Sequence, residues 1–231
     1  MSDSSILRYE FTDTERGLIE AMTKKNVLAA SPDEKRNTVR TLLSGTGRNG
    51  VNNVISFLET SDYFTAPSSM KYHSNYDGGL VDHSLLVLST GYRLLEMMKV
   101  MNPDIGTRVA ADSLILTTLL HDTCKCSFYK AVDKWRKDSS GRWESYKGYE
   151  IDDRFPIGHG EKSVIMLQKF GLDLNAEEML AIRWHMGTWD GSSMNDSKTA
   201  YLHSIDMSPL LVVVQTADSV SSLTMENIIR R

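Results

Sequence analysis

Cysteine is scarce in this chain, since only Cys124 and Cys126 occur among 231 residues and one position separates them. A mutual disulfide is geometrically poor at that spacing, and so low a count is typical of a reducing compartment. A structural zinc site built on thiolates is disfavoured too, because no second cysteine pair exists. No apolar run approaches the roughly 20 residues that span a bilayer, and the N-terminus lacks the basic and apolar regions of a signal peptide. We therefore expect a cytoplasmic protein without a membrane partner.

An excess of positive charge is also missing, because the net charge is −4. This balance argues against a protein that holds duplex DNA by bulk electrostatics. It does not exclude a small phosphorylated substrate, which needs only a few local cations. The chain contains no internal repeat and no low-complexity stretch, and its length suffices for one full hydrophobic core.

Helical periodicity dominates what the sequence does contain. Leu80–Val100 has the apolar spacing of a long amphipathic helix, which Asn102-Pro103 would end. Similar patterns predict further helices over 107–122, 159–170, 176–186 and 209–222. We expect an all-α fold in which residues 1–60 form a helical extension packed on a main domain of residues 61–231.

One segment, from about residue 131 to 150, departs from the helical pattern. Four aromatic residues flank the polar turn Asp138-Ser139-Ser140-Gly141; they are Trp135, Trp143, Tyr146 and Tyr149. Aromatics on both sides of such a turn predict a β-hairpin inserted in the helical protein. The hairpin is either a surface ornament or a flap over an active site, and the sequence favours neither.

The side chains that carry chemistry begin with His121-Asp122, which directly follows the apolar run LILTTLL. Burying this pair is costly unless both groups have partners, and a metal ion can partner two adjacent donors. The C-terminal end of a helix also favours a cation. Four other candidate metal ligands lie on apolar segments elsewhere in the chain, namely His83, His159, His185 and Asp218. Each alone has an ordinary structural explanation, but together they predict a single metal site between packed helices.

The order His, His-Asp, His, His, Asp resembles the HD-domain superfamily of metal-dependent phosphohydrolases. The matching stretches are GGLVDHSLLVL around His83, LLHDTCK around His121-Asp122, GHGEKS around His159, AIRWHMG around His185 and TADSV around Asp218. The resemblance covers roughly residues 78–222, interrupted by the predicted hairpin. It implies an HD-domain helical bundle.

The resemblance also implies a role for each matching residue. Four residues match the ligands of the minimal one-metal site: His83, His121, Asp122 and Asp218. His159 and His185 match the additional ligands of two-metal members, in which Asp122 would bridge both ions. Lys125 matches a lysine that faces the substrate in many members. Asp122 and Lys125 are therefore the expected catalytic residues.

The expected cofactors are two divalent metal ions. Imidazole and carboxylate ligands suit iron, manganese, cobalt, nickel or zinc, and magnesium is kept as an alternative. A hydroxide bridging the two metals would cleave a phosphoester or phosphoanhydride bond of a nucleotide-type substrate. Lys125 would bind this substrate, together with Tyr72 and His73 in KYHSNYDGGL. The alternative for Tyr72 and His73 is that they only order the loop.

Two other functions are compatible with the same residues. The inositol oxygenase-like group of the superfamily uses the same ligand order to hold two irons and activate dioxygen. A degenerate domain would bind a nucleotide without cleaving it, although the complete ligand set argues against this. Among substrates, the acidic charge favours a small nucleotide, with short RNA as the alternative. The sequence makes no prediction of oligomeric state.

Overall fold

The computed structural model describes residues 7–190 and 194–226 of the chain. Within these residues the chain forms ten α-helices and one two-stranded antiparallel sheet. The helices are α1 (Asp13–Ala21), α2 (Lys24–Ala29), α3 (Pro32–Gly45), α4 (Val51–Thr60), α5 (Gly79–Met101), α6 (Ala111–Leu120), α7 (His159–Lys169), α8 (Ala176–Arg183), α9 (Met194–Met207) and α10 (Pro209–Val220). The strands are β1 (Tyr129–Lys137) and β2 (Trp143–Ile151), between α6 and α7. The predicted all-α class with an inserted hairpin is confirmed.

Helix α5 is the longest element and packs against both α6 and α10. Its first turns, from Gly79 to Ser89, are buried on every side. It starts after Gly78, whose left-handed φ of 84° glycine adopts without steric cost. Pro103 prevents its continuation, as the sequence predicts. The burial of these first turns places His83 inside the molecule.

Helix α6 is the apolar centre of the bundle, because all ten of its residues are buried. Six of the ten are apolar, and the four polar ones form hydrogen bonds inside the protein, as burial requires. The predicted start at residue 107 is wrong, since Pro103–Thr107 forms a separate 3-10 helix and α6 begins at Ala111. The helix ends at Leu120, so His121 occupies its C-cap and Asp122 follows directly.

The hairpin pairs Tyr129 with Ile151 at its base and Lys137 with Trp143 near its turn. It is therefore slightly longer than the predicted 131–150. Trp135 and Trp143 are each 65% exposed, so the outer half lies in solvent. At the base, Tyr149 is buried and its hydroxyl donates a hydrogen bond to the Asp77 carboxylate. The base is thus attached to the loop that precedes α5.

The N-terminal helices are joined to the rest of the fold by a buried ion cluster. Arg48, between α3 and α4, donates to Glu178 of α8 at 2.8 Å through each of two nitrogens. The same guanidinium lies 3.3 Å from the Asp112 carboxylate of α6. All three side chains are nearly inaccessible to solvent. A division of the chain near residue 60 stays a prediction.

Helix α9 is not predicted by the sequence, which suggests a turn near His203 instead. That histidine lies in the helix and is exposed. Among the residues of this helix whose side chains the structure describes, Tyr201 and Ile205 pack partly on the core, so the apolar pattern is too sparse to indicate a helix. Among the described residues, none of the helices has both the length and the apolar character required to cross a membrane.

Candidate metal centre

Three elements bring four of the predicted ligands to one point. His83 lies in the second turn of α5, His121 and Asp122 follow α6, and Asp218 lies on α10. The Nε2 atom of His83 is 3.0 Å from Nε2 of His121. It is also 3.3 Å from Oδ2 of Asp122 and 3.3 Å from Oδ1 of Asp218. These four residues, which are separated along the chain, therefore form one buried cluster.

Helix ends orient two of the histidine rings in the same way. His121 follows α6, and its Nδ1 donates a 2.8 Å hydrogen bond to the carbonyl oxygen of Thr118. His185 follows α8, and its Nδ1 donates a bond of the same length to the carbonyl oxygen of Ile182. A carbonyl can only accept, so each neutral ring presents the Nε2 lone pair. Both lone pairs are thereby available to a cation.

The cluster is rich in hydrogen-bond acceptors and in negatively charged carboxylates. Burial alone would lower the pKa of His83, but the carboxylates of Glu226, Asp122 and Asp218 outweigh burial and raise it to about 10. Burial would raise the pKa of Asp122, but Lys125 and His121 hold it well below its usual value. Burial lowers the pKa of His121. The Asp122 carboxylate is therefore charged, and it favours a positive species at the centre of the cluster.

The donor set fits a divalent metal ion. Nε2 of His83, Nε2 of His121 and a carboxylate oxygen of Asp122 lie within 4.8 Å of one another. Oδ1 of Asp122 is buried, and within the described part of the chain it accepts no hydrogen bond. An unpaired carboxylate oxygen in the interior is costly. Imidazole nitrogens with carboxylate oxygens are a usual ligand set for first-row divalent metals.

The two additional histidines are placed differently. Nε2 of His185 lies 3.5 Å from Oδ1 of Asp122, on the opposite carboxylate oxygen from His83. His159 begins α7, and its Nδ1 lies 3.6 Å from the sulfur of Cys124. Its ring also contacts the ring of Phe128 at the hairpin base. His185 therefore joins the cluster directly, while His159 lies against the residues that follow Asp122.

Lys125 contacts the cluster through Asp122. Its Nζ donates a 2.6 Å hydrogen bond to Oδ2 of Asp122, and the side chain is buried. Burial would lower the pKa of this lysine, but Asp122 outweighs that effect and raises it. The ammonium group is therefore a permanent positive charge beside the candidate metal site.

A cavity of about 350 Å³ opens beside the cluster. Its lining includes His185 and Asp218 of the cluster and both predicted substrate-binding residues, Tyr72 and His73. Tyr72 is 72% exposed at the cavity. His73 is half-buried with its ring 5.0 Å from that of His83, and its Nε2 has no hydrogen-bond partner among the described residues. Burial, with His83 and Lys125, lowers the pKa of His73 to about 4.

One residue of the site is absent from the sequence-based prediction. Glu226 accepts a 2.6 Å hydrogen bond from Nδ1 of His83 and another from the Ser74 hydroxyl, also 2.6 Å. No motif marks Glu226, which stands near the end of the chain in the polar stretch TMENIIRR. Only the folded chain brings it to His83, from which 143 positions separate it.

Comparisons with known proteins show the family of the chain. The family model described as HD domain matches residues 80–223, which is more than half of the chain. The dihydroneopterin 2',3'-cyclic phosphate phosphodiesterase of Methanocaldococcus jannaschii is 28% identical over 141 residues. That match covers 61% of this chain and 50% of the relative, so the chain spans about half of the relative's length. No solved structure matches the chain significantly.

Proposed function

The chain belongs to the HD domain family, and from that premise we propose that it is a metal-dependent phosphohydrolase. The single observation that carries the proposal is the convergence of His83, His121, Asp122 and Asp218 on one buried point. These four residues would hold one divalent ion. His185 and His159 would hold a second, with Asp122 shared between the two.

The residues around the ligands suit a phosphorylated substrate. When bound, divalent metal ions stabilise negative charge on a phosphoryl group and activate water as a nucleophile. Lys125 adds a positive charge in a buried position, where it is worth more than in water. Its contact with Asp122 keeps the ammonium group in place before the substrate arrives. Preorganised charge of this kind stabilises a transition state that gains negative charge.

The part of the substrate beyond the phosphoryl group would lie in the cavity beside the cluster. Tyr72 offers an exposed aromatic ring, and His73 offers a nitrogen without a partner among the described residues. We assign both to substrate binding. The volume of about 350 Å³ is in the range of small-ligand sites. The substrate class we propose is a nucleotide-type phosphoester or phosphoanhydride.

Within that class, the phosphodiester is the first bond to test. The name of the Methanocaldococcus jannaschii relative specifies a 2',3'-cyclic phosphate, which is a phosphodiester. A cyclic phosphodiester is compact and carries one negative charge, so Lys125 and the metals would suffice to bind it. Linear dinucleotides and nucleoside polyphosphates complete the panel.

The test measures hydrolysis through the phosphorus signals of substrate and product. The protein is loaded with manganese, cobalt, iron or nickel in turn, and each substrate is followed by phosphorus NMR. We expect hydrolysis of at least one phosphodiester, and we expect Asp122→Ala to abolish both metal binding and hydrolysis. Asp104→Ala, at an exposed position away from the cluster, is the matched control and should retain both.

Two outcomes would contradict the proposal. Full hydrolysis by Asp122→Ala would show that the reaction does not use this centre. Substrate-dependent oxygen uptake by the iron-loaded protein, with no new phosphorus species, would support the oxygenase alternative instead.

A further inference from the structure

The carboxylate of Glu226 is buried against His83. Glu226 itself and its second hydrogen-bond partner both lie outside the matched family region. Glu226 follows a π-helical segment, Ser221–Met225, that continues from α10. The family match ends at residue 223 and begins at residue 80, whereas the second partner of Glu226 is Ser74. The side chain of Glu226 has no solvent exposure. This chain therefore supports His83 with residues that the family model does not include.

The hydrogen bonds determine which nitrogen of His83 is available. Oε1 of Glu226 accepts from Nδ1 of His83, so the proton that a bound metal ion would displace from this ring is the one on Nε2. The Nε2 atom is then left as an acceptor, and it is the nitrogen that faces His121, Asp122 and Asp218. His121 and His185 obtain the same orientation from main-chain carbonyls, but His83 obtains it from a full negative charge. A carboxylate makes the opposite ring nitrogen a more basic ligand than a carbonyl does.

The carboxylate is itself held firmly. Its second oxygen, Oε2, accepts from the Ser74 hydroxyl. Ser74 has a left-handed φ of 43°, which is sterically unfavourable for a residue with a Cβ. The turn closes tightly there, because a Cβ built on Gly79 would lie 1.9 Å from the carbonyl oxygen of Ser74. Surrounding contacts maintain this uncommon backbone, and the Ser74 hydroxyl then fixes the orientation of the carboxylate.

We propose that Glu226 is a positioning residue that holds His83 in the tautomer with a free Nε2 and strengthens Nε2 as a metal ligand. Ser74 holds Glu226 in turn. The inference rests on the proposed metal site, although it does not depend on which reaction that site catalyses. Loss of the carboxylate should therefore weaken metal binding before any substrate is added.

The test compares Glu226→Ala and Glu226→Gln by titration calorimetry with Mn²⁺ or Co²⁺ alone. Removing the partner of a metal-ligating histidine typically costs about 10- to 100-fold in metal affinity, and we expect that loss for Glu226→Ala. Glutamine retains an acceptor oxygen for Nδ1 but not the charge, so Glu226→Gln should recover part of the loss. Ser74→Ala leaves Glu226 in place and should lose less than Glu226→Ala.

A spectroscopic measurement separates positioning from general stability. In nitrogen-15 spectra of protein loaded with diamagnetic Zn²⁺, which keeps the ring neutral, His83 should show Nδ1 protonated in the wild type and in Glu226→Gln. In Glu226→Ala the two tautomers should mix. Glu59→Ala is the matched control, because Glu59 pairs with Arg40 at the surface and should leave both affinity and spectra unchanged.

The outcomes are distinguishable. Wild-type protein that binds no divalent metal would overturn the proposed function and this inference together. Wild-type protein that binds metal, with Glu226→Ala binding within two-fold of it, would overturn the inference alone. Should Glu226→Ala fail to fold, Ser74→Ala and Glu226→Gln decide the question, since unchanged affinity in both would also overturn it.

Discussion

Gly160 on α7 lies directly against Arg183 on α8, so closely that a Cβ built on Gly160 would be 2.1 Å from the Arg183 carbonyl oxygen. No side chain fits at that distance, so the two helices can approach only at glycine. His159 immediately precedes Gly160, and His185 is two residues beyond Arg183. The close approach therefore sets the separation between the two additional histidines.

Replacing Gly160 should affect both stability and the second metal. Gly160→Ala forces the backbones apart, and overpacking of this kind typically lowers the free energy of unfolding by about 1–3 kcal/mol. Urea denaturation measures that change, and metal analysis after dialysis should show reduced metal content. Gly17→Ala is the control, since nothing lies within 4 Å of a Cβ there. Because Gly17 lies inside α1, alanine should leave stability unchanged or raise it by up to about 1 kcal/mol.

Metal content should distinguish the two kinds of ligand. We expect about two metal ions per chain in the wild type and about one in His159→Ala and in His185→Ala, as for a two-metal centre. Asp122→Ala should lose most of both, because the two carboxylate oxygens of Asp122 lie 3.3 Å from Nε2 of His83 and 3.5 Å from Nε2 of His185. Elemental analysis of dialysed protein gives the number directly. A single ion in the wild type that survives His159→Ala unchanged would remove His159 from the ligand set.

Lys125 should matter for turnover more than for metal binding. Lys125→Met removes the charge and keeps a side chain of similar length. We expect it to lower kcat by about 10²- to 10³-fold, as for other preorganised groups that stabilise developing negative charge. Metal affinity should be retained, because Oδ2 of Asp122 is then released from its hydrogen bond. Steady-state kinetics and metal titration check the two parts. Lys169→Met, at an exposed position on α7, should behave as the wild type.

Arg48 should contribute strongly to stability. Arg48→Met leaves the carboxylates of Asp112 and Glu178 buried without their cation, and breaking a buried pair typically costs about 3–5 kcal/mol. Arg136→Met is the matched control, since Arg136 pairs with Glu144 at 2.7 Å on the exposed hairpin. Exposed pairs contribute about 0–1 kcal/mol. Equal urea midpoints for the two variants would contradict this interpretation of the cluster.

Much of the fold could be predicted from local patterns. The long apolar periodicity of α5 and the apolar run LILTTLL at the end of α6 each indicate a helix, and aromatics around a polar turn indicate the hairpin. Helix α9 could not be predicted in this way, because few of its described side chains pack on the core, Tyr201 and Ile205 among them and both only partly. The start of α6 could not be predicted either: the sequence places it at residue 107, which is the last residue of the 3-10 helix Pro103–Thr107, since residue spacing does not distinguish the two hydrogen-bond patterns.

The sequence alone is enough to predict the ligands of the candidate centre. The His-Asp pair after LILTTLL and the order of the remaining histidines indicated which residues to expect together, because buried donors of this kind require a shared partner. The tertiary structure alone decided the orientation of each ring and the identity of its supports. Glu226 and Ser74 are 152 positions apart and carry no motif, so only the folding of the chain could reveal that they fix His83. Hydrogen bonds depend on distance in space, and separation along the chain does not encode that distance.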